Sequence, residues 1–325
     1  MTGIKIQNVY ESLKESNPSR LSRMRGREAT YLDCARIFQY DENVEREQMI
    51  ETTIRELISF HRRNGDFNLD VFGNRLSSDQ YRIAYESTLS NLPEGANVMD
   101  WGCGNGHFSY FLARAGFRVT GFSFLGYPLL MKESGLGFDF VPGSQSDPRR
   151  LPFHDEEFDA VVSMGVLEHV RETGGDERSS VSEIRRILKP GGVFLCAHFP
   201  NRLSWIEFLT RKFLPSRFRH RYRFTRRNIG ELWSSTGFTI RRISRYGWLP
   251  RNVVGGSRSA FMDARLSLFL YDLLESIARV LLYPFHQNFL IVAVKNRGLI
   301  ESASPDSGLT RTAAGERRAG KSVVK

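Results

Sequence analysis

A glycine-rich turn between an apolar strand and a helix constrains this 325-residue chain more than any other feature. Residues 97–101 have the apolar character of a short strand, and Gly102, Gly104 and Gly106 follow at alternate positions before a helical stretch over 106–115. Glycine lets the backbone turn sharply and approach a ligand closely, and the helix that follows presents free N–H groups at its start. The spacing differs from the G-x-G-x-x-G turn that seats a dinucleotide pyrophosphate.

Strands and helices alternate after a turn at residues 93–95. Further strands are predicted at 117–122, 158–163, 193–198, 238–246 and 288–294, and helices at 180–188, 203–213 and 226–236. This order is typical of an α/β fold in which helices cover a parallel sheet. Helical spacing over 44–63 and 77–92 precedes it. We predict a helical N-terminal extension over 1–75, an α/β domain over 76–297 and a disordered polar tail over 298–325.

Four motifs over about residues 76–295 resemble class I S-adenosylmethionine-dependent methyltransferases of the type 11 kind. In chain order they are Asp100 with the glycine turn, Asp147 with Leu151-Pro152-Phe153, Phe158-Asp159 with Leu167-Glu168-His169, and Leu188-Lys189-Pro190-Gly191-Gly192. The resemblance implies a Rossmann-like sheet flanked by helices and a methyltransferase that uses S-adenosyl-L-methionine as its cofactor.

The resemblance also implies which residues bind that cofactor. The glycines would wrap its methionine and ribose parts, and the aspartate before them would contact the methionine amino group, directly or through water. Ser146 or Asp147 would meet the adenine edge. Gly165 and Val166 would line the site after the strand at 158–163, which is the fourth strand of the family sheet. The residues implied are Asp100, Gly102, Gly104, Gly106, Ser123, Ser146, Asp147, Gly165 and Val166.

Ser123 departs from the family pattern. The family usually carries an acid at the end of the second strand, where it binds both ribose hydroxyls, and Ser123 stands there in this chain. A serine offers one hydroxyl, whereas a carboxylate offers two acceptor oxygens and a charge. Two alternatives follow: a cofactor site that is weaker or compensated by another group, and a methyltransferase-like binding protein that has lost catalysis.

His198 is the candidate catalytic residue. Methyl transfer from a sulfonium has a good leaving group, so positioning carries most of the catalysis and a general base serves only a hydroxyl acceptor. His198 follows a strand, and the carboxyl ends of such strands carry the active site in open α/β sheets. The alternative is a histidine packed against Phe199 and Pro200. No two histidines have i, i+4 spacing beside an acid, so no metal site is predicted.

The positive charge of the chain is concentrated in one segment. The net charge is +10, but residues 202–260 hold fourteen Lys and Arg and two acids, so the rest of the chain sums to −2. We refer to residues 201–260 as the basic segment. Class I methyltransferases commonly build part of the acceptor pocket in this region, between the fifth and sixth strands of the family sheet.

Three interpretations of the basic segment remain open. Clustered arginines suit an anionic small-molecule acceptor or a lipid- or glycan-linked one. Arginines interleaved with aromatic residues over 217–223 would suit a nucleic acid, which we place last because no separate RNA-binding module is visible. A solvated basic face is the remaining alternative.

Residues 261–285 predict an amphipathic helix. Its charges at Asp272, Glu275 and Arg279 argue against a transmembrane span. The apolar face would pack against the sheet or a dimer partner, or would lie on an anionic membrane surface. The oligomeric state is not determined by the sequence.

The compartment is inferred from two absences in the sequence. Three widely spaced cysteines exclude a disulfide scaffold, and the N-terminus has no apolar signal region. We therefore expect a cytoplasmic or membrane-peripheral enzyme that methylates an oxygen or nitrogen atom. An RNA methyltransferase and the inactive relative are the alternatives.

Overall fold

One seven-stranded sheet organises the part of the chain that the computed structural model describes, which is residues 31–65, 67–144, 147–213, 220–249 and 265–297. The strands are β1 (Asn97–Trp101), β2 (Arg118–Ser123), β3 (Asp139–Pro142), β4 (Phe158–Met164), β5 (Leu188–Pro200), β6 (Phe238–Tyr246) and β7 (Asn288–Lys295). Their order is β3-β2-β1-β4-β5-β7-β6. Only β7 runs antiparallel to its neighbours, so the carboxyl ends of β1 to β6 meet at one edge.

Helices cover both faces of the sheet, which confirms the predicted Rossmann-like α/β architecture. They are α1 (Tyr31–Asn64), α2 (Arg75–Ser78), α3 (Arg82–Asn91), α4 (His107–Arg114), α5 (Leu129–Ser134), α6 (Glu177–Ile187), α7 (Trp205–Phe213), α8 (Arg226–Ser235) and α9 (Arg265–Leu281). Short 3-10 helices lie at Asp79–Tyr81, Leu167–Thr173 and Tyr283–Phe285, among others. Thr225 caps α8, and its hydroxyl accepts from the N–H of Asn228.

The helical extension shares its core with the sheet. Ile50, Ile54 and Leu57 of α1 belong to the same buried cluster as Val98 of β1 and Phe108 of α4. Burial in one common cluster couples the stability of α1 to that of the sheet. The domain boundaries at 75/76 and 297/298 remain predictions.

Ion pairs add a second attachment of α1. The carboxylate of Glu51 accepts from the guanidinium of Arg75, with a distance of 2.7 Å at one oxygen, and from that of Arg82 at 3.0 Å. The two cations hold the pKa of Glu51 below its usual range, although partial burial opposes that shift. These half-buried pairs therefore tie α1 to α2 and α3.

Several predicted elements have different bounds in the structure. The single helix expected over 77–92 is divided into α2, a 3-10 turn and α3. Asn74 caps α2, and the hydroxyls of Ser77 and Ser78 donate to the backbone carbonyls of Val71 and Arg75. Such side-chain bonds compete with a continuous helix.

Two short elements, β3 and α5, were not predicted at all, because neither is long enough to show a clear apolar period. The predicted helix over 261–285 is α9 followed by a turn and a 3-10 helix. Residues 261–264 of that prediction, and the predicted tail over 298–325, lie outside the described residues.

We predict that Ile54→Ala lowers the free energy of unfolding by about 2–5 kcal/mol, because it leaves a cavity in the shared core. Val44→Ala, on an exposed part of the same helix, changes it by less than about 0.5 kcal/mol. Urea unfolding followed by circular dichroism measures both values. A first transition that involves α1 alone would contradict the shared core.

Candidate functional site

The loops that follow β1, β2 and β4 enclose a cavity of about 240 Å³ at the carboxyl edge of the sheet. This is the edge where parallel α/β sheets hold their ligands. We refer to it as the edge cavity. Five of the residues predicted from the sequence line it: Gly102, Gly104, Ser123, Gly165 and Val166.

The glycine turn forms a cradle whose shape depends on the missing side chains. Gly102 and Gly106 have φ angles of +77° and +83°. A Cβ on Gly102 would lie 2.3 Å from Cγ2 of Val166, and one on Gly106 would lie 2.8 Å from Cβ of Pro128. A Cβ on Gly104 would meet nothing closer than 3.8 Å. Gly102 and Gly106 therefore allow close packing, and Gly104 leaves room for a bound group in the edge cavity.

Asp100 lies buried beneath the cradle and does not line the edge cavity. Its carboxylate accepts from the hydroxyl of Ser109 at 2.6 Å. Burial raises the pKa of Asp100 to about 7, and the Ser109 hydrogen bond opposes that shift. A cation near the cradle would favour the carboxylate form.

Ser123 and Asp147 take different positions around the edge cavity. Ser123 is buried at its wall, and its hydroxyl oxygen accepts from the N–H of Leu125 at 3.1 Å. Asp147 is exposed, and its neighbour Pro148 is the residue that lines the cavity. Ser146 lies outside the described residues. The adenine contact predicted for Ser146 or Asp147 therefore remains a prediction.

His198 lies at the same edge, next to Gly165 but not in the lining of the edge cavity. A Cβ on Gly165 would be 3.8 Å from Cβ of His198. The backbone of His198 has a φ of +59°, which is uncommon for a residue with a side chain. Its N–H donates to the hydroxyl of Tyr246 at 2.8 Å.

The ring of His198 is partly buried and carries no charge near neutral pH. Its Nδ1 lies 3.1 Å from the hydroxyl of Tyr246 and 3.4 Å from Nδ2 of Asn288, while Nε2 is buried without a hydrogen-bond partner among the described residues. Burial lowers the pKa of His198 to about 3. Because both neighbours can donate to Nδ1, they favour the tautomer with its proton on Nε2.

Tyr81 connects this histidine to the glycine cradle. Its ring centroid lies 5.0 Å from that of His198 and 4.9 Å from that of His107 at the start of α4. Burial also lowers the pKa of His107, to about 4. Sequence reasoning missed Tyr81, Tyr246 and Asn288, because no local spacing relates them to the strand end.

A second cluster was also missed. Glu168, His169 and His220 bring one potential ligand atom each to within 4.8 Å of one another. Burial raises the pKa of Glu168 to about 7. His220 also pairs with the buried Glu207, at 2.7 Å from Nδ1 to Oε1. The cluster could hold a divalent cation, so the expectation that the chain has no metal site stays untested.

Comparisons with known proteins identify the family of the chain. A family profile described as a methyltransferase domain matches residues 77–243. The ubiquinone biosynthesis O-methyltransferase of Actinobacillus pleuropneumoniae serotype 5b (strain L20) is 34% identical over 119 residues, which are 34% of this chain and 49% of that protein. The protein of that name from Cronobacter sakazakii is 36% identical over 131 residues, 38% of this chain and 51% of that protein.

The chain thus spans about half the length of these curated relatives. A solved structure of a SAM-dependent methyltransferase from Methanosarcina mazei is 21% identical, with a TM-score of 0.44, and the match covers 65% of this chain and 97% of that one. The family profile covers just over half of the chain and includes the glycine cradle. The chain therefore belongs to the methyltransferase-domain family, whose members are enzymes that use S-adenosyl-L-methionine.

Proposed function

We propose that the protein is an O-methyltransferase whose acceptor is linked to a lipid and is met at a membrane surface. The observation that carries this proposal is the pair of exposed apolar faces on α7 and α9, at the same edge of the sheet as the edge cavity. The names of the curated relatives support an oxygen acceptor.

Topology places both helices at this edge. Helix α7 follows the carboxyl end of β5, and α9 lies in the connection between the carboxyl end of β6 and the start of β7. The indole N–H of Trp205 in α7 donates to the carbonyl of Trp248, at 2.8 Å. The carboxylate of Glu275 in α9 accepts from the N–H groups of Gly247 and Trp248, at 3.1 and 2.8 Å. The segment that follows β6 therefore anchors both helices.

The anchored helices turn apolar side chains toward solvent. The exposed apolar residues of the two helices are Phe208, Leu209, Phe213, Leu266, Phe269, Leu270, Leu273, Leu274, Ile277, Val280 and Leu281. Single exposed apolar residues are ordinary, whereas a contiguous apolar patch marks a binding surface. We refer to these residues as the apolar face.

Charge supports a membrane as the occupant of the apolar face. Arg211 and Lys212 lie in the last turn of α7, beside Phe208 and Phe213, and both are exposed. Apolar side chains next to cations are the composition of helices that lie in the interface of an anionic membrane. Within the described ranges, no helix is both long enough and apolar enough to cross a bilayer.

The chemistry assigned to the site is direct methyl transfer. Bound S-adenosyl-L-methionine supplies an electrophilic methyl group on a sulfonium. The glycine cradle would hold its methionine and ribose parts, since the space next to Gly104 is open, and Trp101 and Phe122 would keep water from that cavity. To act as the base for an acceptor hydroxyl, His198 would have to carry its proton on Nδ1 and donate it to the Tyr246 hydroxyl, which leaves Nε2 free to take the acceptor proton. The lowered pKa of His198 makes it a weak base until an acceptor binds beside it.

Gly102→Ala is expected to abolish detectable cofactor binding, because its Cβ would overlap Val166 and force the cradle open. Gly126→Ala is the matched control, since a Cβ there meets nothing within 4 Å and its φ is not positive. Calorimetric titration with S-adenosyl-L-methionine measures both variants. Equal affinity in the two would remove the cradle from the cofactor site.

His198→Ala is expected to lower turnover by about 10²–10⁴-fold, the range for a lost general base, while the affinity for the cofactor is unchanged. His198→Asn, which also lacks the imidazole but tolerates a positive φ, serves as the control for backbone strain. Both variants should lose turnover to the same extent. Unchanged turnover in either one would discard the base role.

The lipid-linked acceptor is tested with tritium-labelled cofactor and cell extracts divided into lipid and aqueous fractions. We expect label in the lipid fraction and co-sedimentation with anionic vesicles. Phe269→Glu combined with Leu273→Glu should weaken vesicle binding by at least about tenfold, because each exposed side chain contributes apolar area on insertion.

Val44→Glu combined with Asn64→Glu, two exposed positions on α1, is the control for the added charge. Label in the aqueous fraction alone would overturn the lipid-linked acceptor. Equal co-sedimentation with neutral and anionic vesicles would overturn the proposal that positive charge directs the protein to anionic membranes. A dimer that the substitutions in α9 dissociate, without vesicle binding, would assign the apolar face to a second copy of the chain.

A further inference from the structure

We infer that a cavity of about 590 Å³ beside the edge cavity binds a phosphate or diphosphate group of the acceptor. This inference rests on the proposed function, which it extends to the chemical class of the substrate. We refer to the cavity as the arginine groove. Its basic residues are Arg171, Arg178, Arg202, Arg221 and Arg223.

Two of these arginines are held in place by neighbours. The Nε of Arg171 donates to both carboxylate oxygens of Glu177 at 2.8 Å, and its guanidinium lies 4.5 Å from the centre of the Tyr222 ring. Arg178 donates to the hydroxyl of Ser235 at 2.8 Å. These contacts order the wall of the groove before a ligand arrives, which lowers the entropy cost of binding.

Two other arginines, both exposed, form no ion pair with a carboxylate of the described residues. None of the carboxylates in the described ranges lies within ion-pair distance of Arg202 or Arg221. The lining has two acids: Glu177 is paired with Arg171, and Asp176 accepts from the N–H and the hydroxyl of Ser179, which lowers the pKa of Asp176 and keeps it a carboxylate. Five arginines therefore face two carboxylates in the lining, and positive charge remains in excess.

Arg223 lies close to the positive charges of Arg211 and Arg202. Burial lowers its pKa, and the nearby cations of Arg211 and Arg202 lower it further, although Glu207 opposes them. A bound anion would relieve this repulsion. The planar guanidinium fork matches two oxygens of a phosphate, so several arginines that converge on one cavity favour this class of ligand.

The floor of the arginine groove is attached rigidly to the sheet. Phe224 stacks on Phe199 of β5, with ring centroids 4.1 Å apart. The N–H of Arg202 donates to the carbonyl of Phe224 at 2.8 Å, and the N–H of Phe224 donates to the carbonyl of Pro200 at 3.0 Å. Arg202 and the segment that carries Arg221 and Arg223 therefore keep a fixed relation to the end of β5.

One short element separates the groove from the edge cavity. Within the 3-10 helix Leu167–Thr173, Arg171 faces the groove, while Val170 and Thr173 line the edge cavity. An acceptor held by its phosphate in the groove would thus extend past this helix toward the transferable methyl group. The phosphate could belong to a lipid headgroup or to a water-soluble molecule, and both share this recognition chemistry.

The test is a calorimetric titration of the full chain with inorganic pyrophosphate in the absence of the cofactor. We expect one binding site. Arg202→Ala combined with Arg221→Ala should raise the Kd at least about tenfold, since each lost charged hydrogen bond contributes substantially. Arg227→Ala combined with Arg241→Ala removes the same charge from exposed positions of the basic segment outside the groove, and should change the Kd by less than about twofold.

Competition identifies the source of the phosphate. Displacement of pyrophosphate by vesicles that contain phosphatidic acid supports a lipid headgroup, and failure to displace it supports a soluble phosphate. No pyrophosphate binding, or equal Kd values in the two double variants, would overturn the inference. Tighter binding of a single-stranded RNA that depends on Arg202 and Arg221 would overturn it in favour of a nucleic acid.

These outcomes are independent of the methyl transfer itself. If the wild-type protein binds the cofactor but not pyrophosphate, the phosphate site in the arginine groove is refuted and the methyltransferase proposal stands. Absent cofactor binding in the wild-type protein, with intact pyrophosphate binding, would refute the methyltransferase proposal and leave the groove as an anion site.

Discussion

The close approach of Gly102 to Val166 is the contact on which the site depends. It brings the loop after β1 against the loop after β4, and any side chain at position 102 would prevent it. With these loops in contact, Gly104 borders open space and Gly165 lies beside His198. The edge cavity and the candidate base are therefore positioned by one packing interaction between two neighbouring parallel strands.

Burial at the edge of the sheet controls the protonation of the groups around this contact. Asp100 and Glu168 have pKa values raised toward neutrality because their carboxylates are desolvated, and His107 and His198 stay neutral for the same reason. The two carboxyls are thus about half ionised near neutral pH and a bound cation would favour their charged form, whereas the basic segment is strongly cationic. A cofactor cation and an anionic acceptor would each meet a complementary environment.

The local pattern of apolar and polar residues was sufficient to predict most of the helices and strands. The strands over 97–101 and 238–246 have the predicted bounds, and the predicted helix over 226–236 corresponds to α8 (Arg226–Ser235). Prediction failed where local side-chain bonds interrupt a periodic stretch and where an element is too short to show a period. The helix expected over 77–92 is interrupted by serine side chains that bond to the backbone, and the edge strand β3 is too short to show a period.

The sequence by itself determined the family, the Rossmann-like sheet and the cradle glycines, because these depend on residues that lie close together in the chain. It also located the excess positive charge in residues 202–260. Only the tertiary structure decided that part of this charge converges on a groove, that apolar faces of two helices flank the same edge, and that His198 is enclosed by Tyr81, Tyr246 and Asn288. These arrangements join residues from separate elements, and the distances between such residues are set by the packing of the folded chain.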